Sequence, residues 1–248
     1  MSIAAVFLIE TAIAIVILRW LWGKKRGEKL SLKRVLTIVF LSLPGVFIGG
    51  FVEHQLMNNA IVHSLPPLLA GIIVSVFVTA TCEELIKYAA LRWVISHETK
   101  IVSHLDVLLT SIMVAMGFTL FENYVYLREG TITLIRIFLP FHLLFGAIMG
   151  YYYGKARVTG KKIYHFLALA LPIPIHAIFD LFPVTKEYLP QDEKAIDALT
   201  SLPYETDELI IIWGTIIACI AFIPSIIKVF RKIHQWSRND ELQESIRA

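Results

Sequence analysis

The apolar residues of this chain fall in runs of roughly 18 to 25 separated by short charged stretches, and a run of about 20 is what an α-helix needs to cross about 30 Å of hydrocarbon. Seven such spans can be drawn: Ile3 to Trp22, Val35 to Val52, Pro67 to Val94, Leu105 to Leu127, Ile132 to Tyr153, Ile163 to Phe182 and Glu208 to Phe230. With 56% hydrophobic residues, 17% charged residues and a mean hydropathy of +0.67, a water-soluble enzyme is excluded. The expected fold is all-α, a polytopic membrane bundle of about seven helices forming one membrane domain over residues 1–248. The first 22 residues lack a basic leading region and a small-residue cleavage site, so they read as a retained span.

The basic residues set the orientation. Lys24, Lys25, Arg26, Lys29, Lys33 and Arg34 follow the first span, Lys155, Arg157, Lys161 and Lys162 follow the fifth, and Lys228, Arg231, Lys232, Arg238 and Arg247 lie at the C-terminus. With seven spans all three groups share one side, and the opposite loops hold only Arg128, Arg136, Lys186 and Lys194. The positive-inside rule then puts the N-terminus outside and the tail, residues 231–248, in the cytoplasm of a cell-membrane protein. Topology thus accounts for the net charge of +3, and no nucleic-acid partner is implied. Cys82 and Cys219 lie inside apolar runs and read as packing residues. Residues 183–207 form an acidic outer loop in which Ala195, Ile196 and Leu199 recur at helical spacing, either a solvated connector or a lid.

Ionisable groups inside a membrane span cost several kcal/mol and mark functional sites. In the third span Glu83, Glu84 and Lys87 fall within one turn, with both carboxylates in reach of the lysine at i,i+4 and i,i+3. One glutamate is enough to pair with Lys87, and the other is left as a candidate to take a proton from water. The fourth span offers Phe118, Glu122 and Asn123. The fifth carries His142 with Gly146, Gly150 and Gly154 at four-residue steps, a stripe that admits a close neighbouring helix. The sixth carries His176 and Asp180 on one face, so that the carboxylate can orient the imidazole, with Pro172 and Pro174 breaking the helix just before them. At about 1.5 Å rise per residue, Glu122, His142 and His176 lie roughly 10 Å below the outer boundary, and Glu83 is nearer mid-membrane. The expectation is a shared, water-filled polar site opening to the extracytoplasmic side.

Such a site suits hydrolysis. There is no Gly-x-Ser-Gly segment, no pair of intramembrane aspartates and no His-Glu-x-x-His, so serine, aspartyl and zincin-like mechanisms are disfavoured. Whether a metal takes part stays open: His142, His176, Glu122 and Asp180 could ligate Zn²⁺ with a water in an open position, whereas a glutamate-activated water with histidine donors needs none. Taken in order, Glu83-Glu84-x-x-Lys87, Phe118-x-x-x-Glu122-Asn123, His142-x-x-x-Gly146 and His176-x-x-x-Asp180 resemble the PrsW-type intramembrane proteases, relatives of the type II CAAX prenyl endopeptidases and of bacteriocin-processing proteins. The resemblance covers Pro67 to Pro183, so residues 66–183 are the expected catalytic core. The CAAX enzymes carry a histidine in the second motif and an asparagine closing the last, where this chain has Glu122 and Asp180, which speaks against prenylated substrates.

The resemblance implies hydrolysis of peptide bonds in membrane-anchored proteins, anti-sigma factors being the associated class. It implies Glu83 as the base and Glu84 as its partner, oriented by Lys87. His142 and His176 would polarise the scissile carbonyl or stabilise its oxyanion, Asp180 would orient His176, and Glu122 completes the catalytic set, with Phe118, Asn123 and Gly146 in support. Two other classes share parts of this pattern. A non-catalytic scaffold of the same fold would be marked by loss of the paired glutamate, which is retained. A proton-coupled transporter would also use carboxylate and histidine chains, but the sequence shows no internal repeat.

Overall fold

The computed structural model describes residues 3–24, 30–99, 101, 103–129, 141–186 and 188, with isolated positions at 224, 227, 231 and 235. Nearly all of the seventh expected span, the start of the fifth and most of the acidic loop lie outside the described residues. The described chain is helical throughout: α1 (Ile3–Lys24), α2 (Leu32–Phe40), α3 (Leu43–Met57), α4 (Ala60–His63), α5 (Pro67–Ile73), a π-helical segment (Val74–Ala80), α6 (Thr81–His97), α7 (His104–Glu129), α8 (Phe141–Thr159), α9 (Ile163–Ala170) and α10 (Pro172–Lys186). Among the described residues four stretches are long and apolar enough to cross a membrane: Leu32–Leu56, Leu68–His97, His104–Arg128 and Ile163–Leu181.

Local chemistry accounts for the breaks. The second span is two helices because Pro44 sits in the first turn of α3 and cannot bond back into α2. Ser42, at that break, donates to the Val114 carbonyl of α7 at 2.6 Å and so fastens the elbow to the centre of the bundle. Reciprocal bonds between Ser103 and Asp106, both 3.1 Å, cap the start of α7. Gly160, at φ +67°, ends α8 in the left-handed conformation that a glycine adopts without strain.

α7 is the core helix, with 83% of its membrane-crossing window buried. The glycine stripe of α8 lies against it. A Cβ on Gly150 would stand 2.6 Å from the Ser111 Cβ and 2.9 Å from the Leu108 Cα, and one on Gly146 would stand 2.5 Å from the Ala115 Cβ. Ser111 donates across the seam to the Gly146 carbonyl at 2.6 Å. Small residues thus bring two helices together in lipid, where close packing and interhelical hydrogen bonds supply the attraction. The outward faces carry large apolar side chains, among them Phe47, Phe51, Phe77 and Phe166, while ionisable groups turn inward. That inversion is what a lipid-facing bundle requires.

Because a backbone atom opposes the missing Cβ, Gly150→Ala is expected to cost about 1–3 kcal/mol. Gly50→Ala, with nothing within 4 Å of its Cβ, should be neutral or slightly stabilising. Unfolding of the two variants in micelles checks the contrast, and equal effects would refute the seam.

Candidate active site

Four elements meet on one polar cluster. The first two turns of α6 supply Glu83, Glu84 and Lys87; α7 supplies Phe118 and Glu122, with Asn123 the next residue along it; α8 supplies His142; α10 supplies His176 and Asp180. All nine are buried, and Glu84, Lys87, Phe118 and His176 are the most enclosed. The structure therefore brings Glu83, Glu84, Lys87, Phe118, Glu122, His142, His176 and Asp180 into one neighbourhood; Asn123 is buried beside Glu122 in the chain, and Gly146 acts one turn away in the seam between α8 and α7.

Lys87 Nζ is the hub. It donates to Glu84 Oε1 at 2.8 Å, to Glu83 Oε2 at 3.2 Å and to His142 Nδ1 at 2.8 Å. Its open side lies 4.1 Å from the centroid of the Phe118 ring, a cation–π contact that explains this aromatic. An ammonium has only donors, so His142 Nδ1 must accept and the ring proton sits on Nε2. Nε2 then donates to Glu122 Oε2 at 2.6 Å. The two neighbours leave His142 one tautomer.

His176 lies between carboxylates. Its Nδ1 is 2.9 Å from Glu84 Oε1, and its Nε2 is 2.9 Å from Asp180 Oδ2 and 3.6 Å from Glu83 Oε2. Phe145 stacks on the His176 ring at 4.7 Å and meets His142 edge-on at 5.7 Å, so one apolar ring holds both imidazoles. Four carboxylates against one ammonium leave the cluster with excess negative charge, which attracts protons or a further cation.

The donor set fits a metal. Glu83, His142 and His176 each offer one ligand atom, and these atoms lie within 4.8 Å of one another. Glu84 Oε2 is buried without a hydrogen-bond partner beside them. Glu122 and Asp180, counted with the histidines as ligands from the sequence, instead each accept from a histidine nitrogen here, the place that carboxylates behind metal-bound histidines occupy. Lys87 stands on His142 Nδ1, so the ammonium and a metal would compete for that lone pair.

Two contributors escaped the sequence reading. Phe145 lies on the apolar turn after His142 and carried no polar signal. Glu53 falls one residue past the drawn end of the second span, yet it accepts the Thr79 hydroxyl at 2.6 Å. The missed signal is the four-residue step Gly45, Gly49, Glu53, which puts the carboxylate on the close-packed face of α3. A separate apolar cavity of about 1290 Å³, walled by side chains such as Ile15, Val39, Phe47 and Phe121, includes none of the polar cluster.

The chain is similar to proteins of known family. The profile described as PrsW family intramembrane metalloprotease matches residues 33–199. Protease PrsW of Geobacillus kaustophilus is 29% identical over 70% of this chain and 77% of its own length. Protease PrsW of Clostridioides difficile is 28% identical over 65% of this chain and 71% of its own. For Protease PrsW of Bacillus subtilis the identity is 27% over 67% and 77%. No solved structure matches. The profile spans more than half of the chain and contains all four helices that meet at the polar cluster, so this multi-pass membrane protein is a peptidase and belongs to the PrsW family of intramembrane metalloproteases.

Proposed function

We propose that the chain cleaves single-span membrane proteins, an anti-sigma factor being the substrate class, by attack of a glutamate-activated water at the Glu83 cluster. The observation that carries this reading is the division of labour between adjacent glutamates. Glu84 is fully enclosed and held by Lys87 and His176 through one oxygen, whereas Glu83 is 6% exposed and makes the longer contacts. A structural ion pair needs one carboxylate for its lysine; the second is surplus to structure.

In this reading Glu83 removes a proton from water as the oxygen attacks the scissile carbonyl carbon. The charge that develops on the carbonyl oxygen is met by His142 and His176, whose rings Glu122, Asp180 and Phe145 hold in place; each turns to it an N–H that faces a carboxylate in the resting site. The proton held by Glu83 passes to the leaving nitrogen as the C–N bond breaks. Glu84 and Lys87 fix the base, and the Phe118 ring covers the lysine, with Asn123 in support. A divalent metal, where bound, would be held by Glu83, His142 and His176 and would supply Lewis-acid polarisation of the carbonyl. Glu84 Oε2, buried and unpartnered, would then be the oxygen left to accept the proton.

The reading includes seven spans across residues 1–248, with the N-terminus outside, the C-terminus in the cytoplasm of a cell-membrane protein, residues 66–183 as catalytic core and the site opening to the extracytoplasmic side. The basic clusters on the loops after α1 and α8 support it.

Three outcomes are expected. Glu83→Gln keeps size and removes the base, so N-terminal sequencing of membrane proteins from cells expressing wild type or variant should show new extracytoplasmic ends at least about 100-fold more abundant with the wild type. Matching profiles from folded, expressed chains would return the scaffold class. Metal analysis of purified protein should find about one equivalent of divalent ion, lost in His176→Ala; an active wild type free of metal would leave hydrolysis to Glu83 and the histidine donors alone. A phosphatase fusion after residue 160, active only outside the cytoplasm, should be inactive, and activity there would reverse the orientation.

A further inference from the structure

Glu53 is a carboxylate inside the membrane-crossing stretch Leu32–Leu56 for which the four motifs provide no role. It stands on a ladder between α3 and the antiparallel chain that presents the paired glutamates. At one rung a Cβ on Gly45 would run into the Ile86 side chain; at the next, a Cβ on Gly49 would lie 3.8 Å from Glu83 Cγ. One turn further along, Glu53 Oε1 takes the Thr79 hydroxyl at 2.6 Å. Thr79 in turn lies one turn before Glu83, so the hydrogen bond is the rung next to the proposed base.

Thr79 belongs to the π-helical segment Val74–Ala80, which runs directly into the α6 turn that carries Glu83 and Glu84. A π-helical turn is rare and frequently marks a functional site. In the neighbouring residues hydroxyls serve the helix itself: Ser75 donates to the Gly71 carbonyl and Thr81 to the Val76 carbonyl, both at 2.6 Å. Thr79 instead gives its hydroxyl away to α3. Each residue of an α-helix turns the chain by about 100°, so closing the π turn to α by one residue would rotate Glu83, Glu84 and Lys87 by about that angle relative to α5. They would then leave the face on which His142 and His176 stand.

We infer that Glu53 is a positioning residue of the site: by accepting the Thr79 hydroxyl it holds the π-helical turn from which Glu83, Glu84 and Lys87 face the two histidines. The inference rests on the hydrolytic reading above for its catalytic consequence, and on the geometry of α3 and the π segment for its structural one. Glu53 touches neither water nor substrate in this role.

The test uses the full chain, with Glu53→Gln, Glu53→Ala, Thr79→Val and the double variant Glu53→Ala/Thr79→Val beside wild type and Glu83→Gln. Two readouts are taken: the yield of wild-type-specific new N-terminal ends in cells, and amide hydrogen exchange across residues 74–84 in micelles. Glu53→Ala and Thr79→Val are each expected to slow cleavage about 10- to 100-fold, the penalty of a small misplacement of reacting groups. Each should also speed exchange in 74–84 by up to about tenfold, one hydrogen bond's worth. Glu53→Gln keeps an oxygen acceptor and should stay within about threefold of wild type in both, and the double variant should be no worse than the worse single one.

Glu53→Gln as slow as Glu53→Ala would overturn the inference, since the charge and not the hold would then matter. Faster exchange with unchanged cleavage, or no change in either, would also overturn it. Should Glu53→Ala fail to fold, the contrast between Glu53→Gln and Thr79→Val decides. If Glu83→Gln cleaves like wild type, the hydrolytic reading fails, and the exchange pattern alone decides whether Glu53 holds the turn.

Discussion

An ammonium enclosed among lipid-embedded helices costs several kcal/mol unless every donor is used, and Lys87 uses three, on Glu83, Glu84 and His142, with the Phe118 ring covering its remaining side. The partners come from α6, α7 and α8, and through Glu84 the contact extends to His176 on α10. No single helix can satisfy this lysine. The bundle must close in one register for the charge to be tolerated, so the most expensive group in the core also specifies how the core assembles. Removing Lys87 would leave two adjacent carboxylates and an imidazole lone pair without their shared donor. The polar centre is thus at once a reactive cluster and the strongest constraint on helix placement.

Around that centre the apolar packing sets the distances. Lipid is as apolar as leucine, so helices there gain nothing from hiding hydrophobic surface and depend on close contact and polar clasps. Gly146 and Gly150 bring α8 onto α7, and the Ser111 bond to the Gly146 carbonyl locks the seam one turn below His142. That approach sets His142 within reach of both Glu122 and Lys87. On the other flank, Gly45 and Gly49 bring α3 against α6, and Ser42 ties the α2–α3 elbow to α7. The same small residues that permit packing therefore bring the carboxylates and imidazoles within bonding distance.

The two histidines are held differently, and the difference is chemical. His142 has a cation on one nitrogen and a carboxylate on the other, which leaves one tautomer. His176 has carboxylates on both sides. Glu122 and Asp180 are the residues by which this chain departs from the CAAX pattern, and each meets an imidazole nitrogen. A carboxylate in those places fixes a ring proton by accepting it, which a histidine or asparagine there would do less strongly.

Much of this is visible in one dimension. Runs of apolar residues bound the fold class because only a continuous helix satisfies its own backbone in hydrocarbon. The charged residues of the core stand out for the complementary reason, that nothing but function or pairing keeps them there. Spacing alone puts Glu83 and Glu84 beside Lys87 and His176 beside Asp180, since i,i+3 and i,i+4 neighbours are set by helix geometry. The glycine stripe on α8 is likewise legible as a contact face. What spacing cannot encode is which residues of different helices meet. That Glu122 takes His142, that Glu84 takes His176, that Phe145 lies against both rings and that Glu83 joins the histidines as a candidate ligand group all depend on crossing positions settled when the bundle closes. The π-helical turn before Glu83 is of the same kind: its sequence reads as ordinary helix, and the wider turn is held by a partner, Glu53, that lies 26 residues away on another helix. Local periodicity and the cost of charge in lipid make a membrane bundle with a set of buried charges readable from the chain alone; the pairing of those charges belongs to the closed bundle, because hydrogen bonds between helices depend on distances that no local interaction sets.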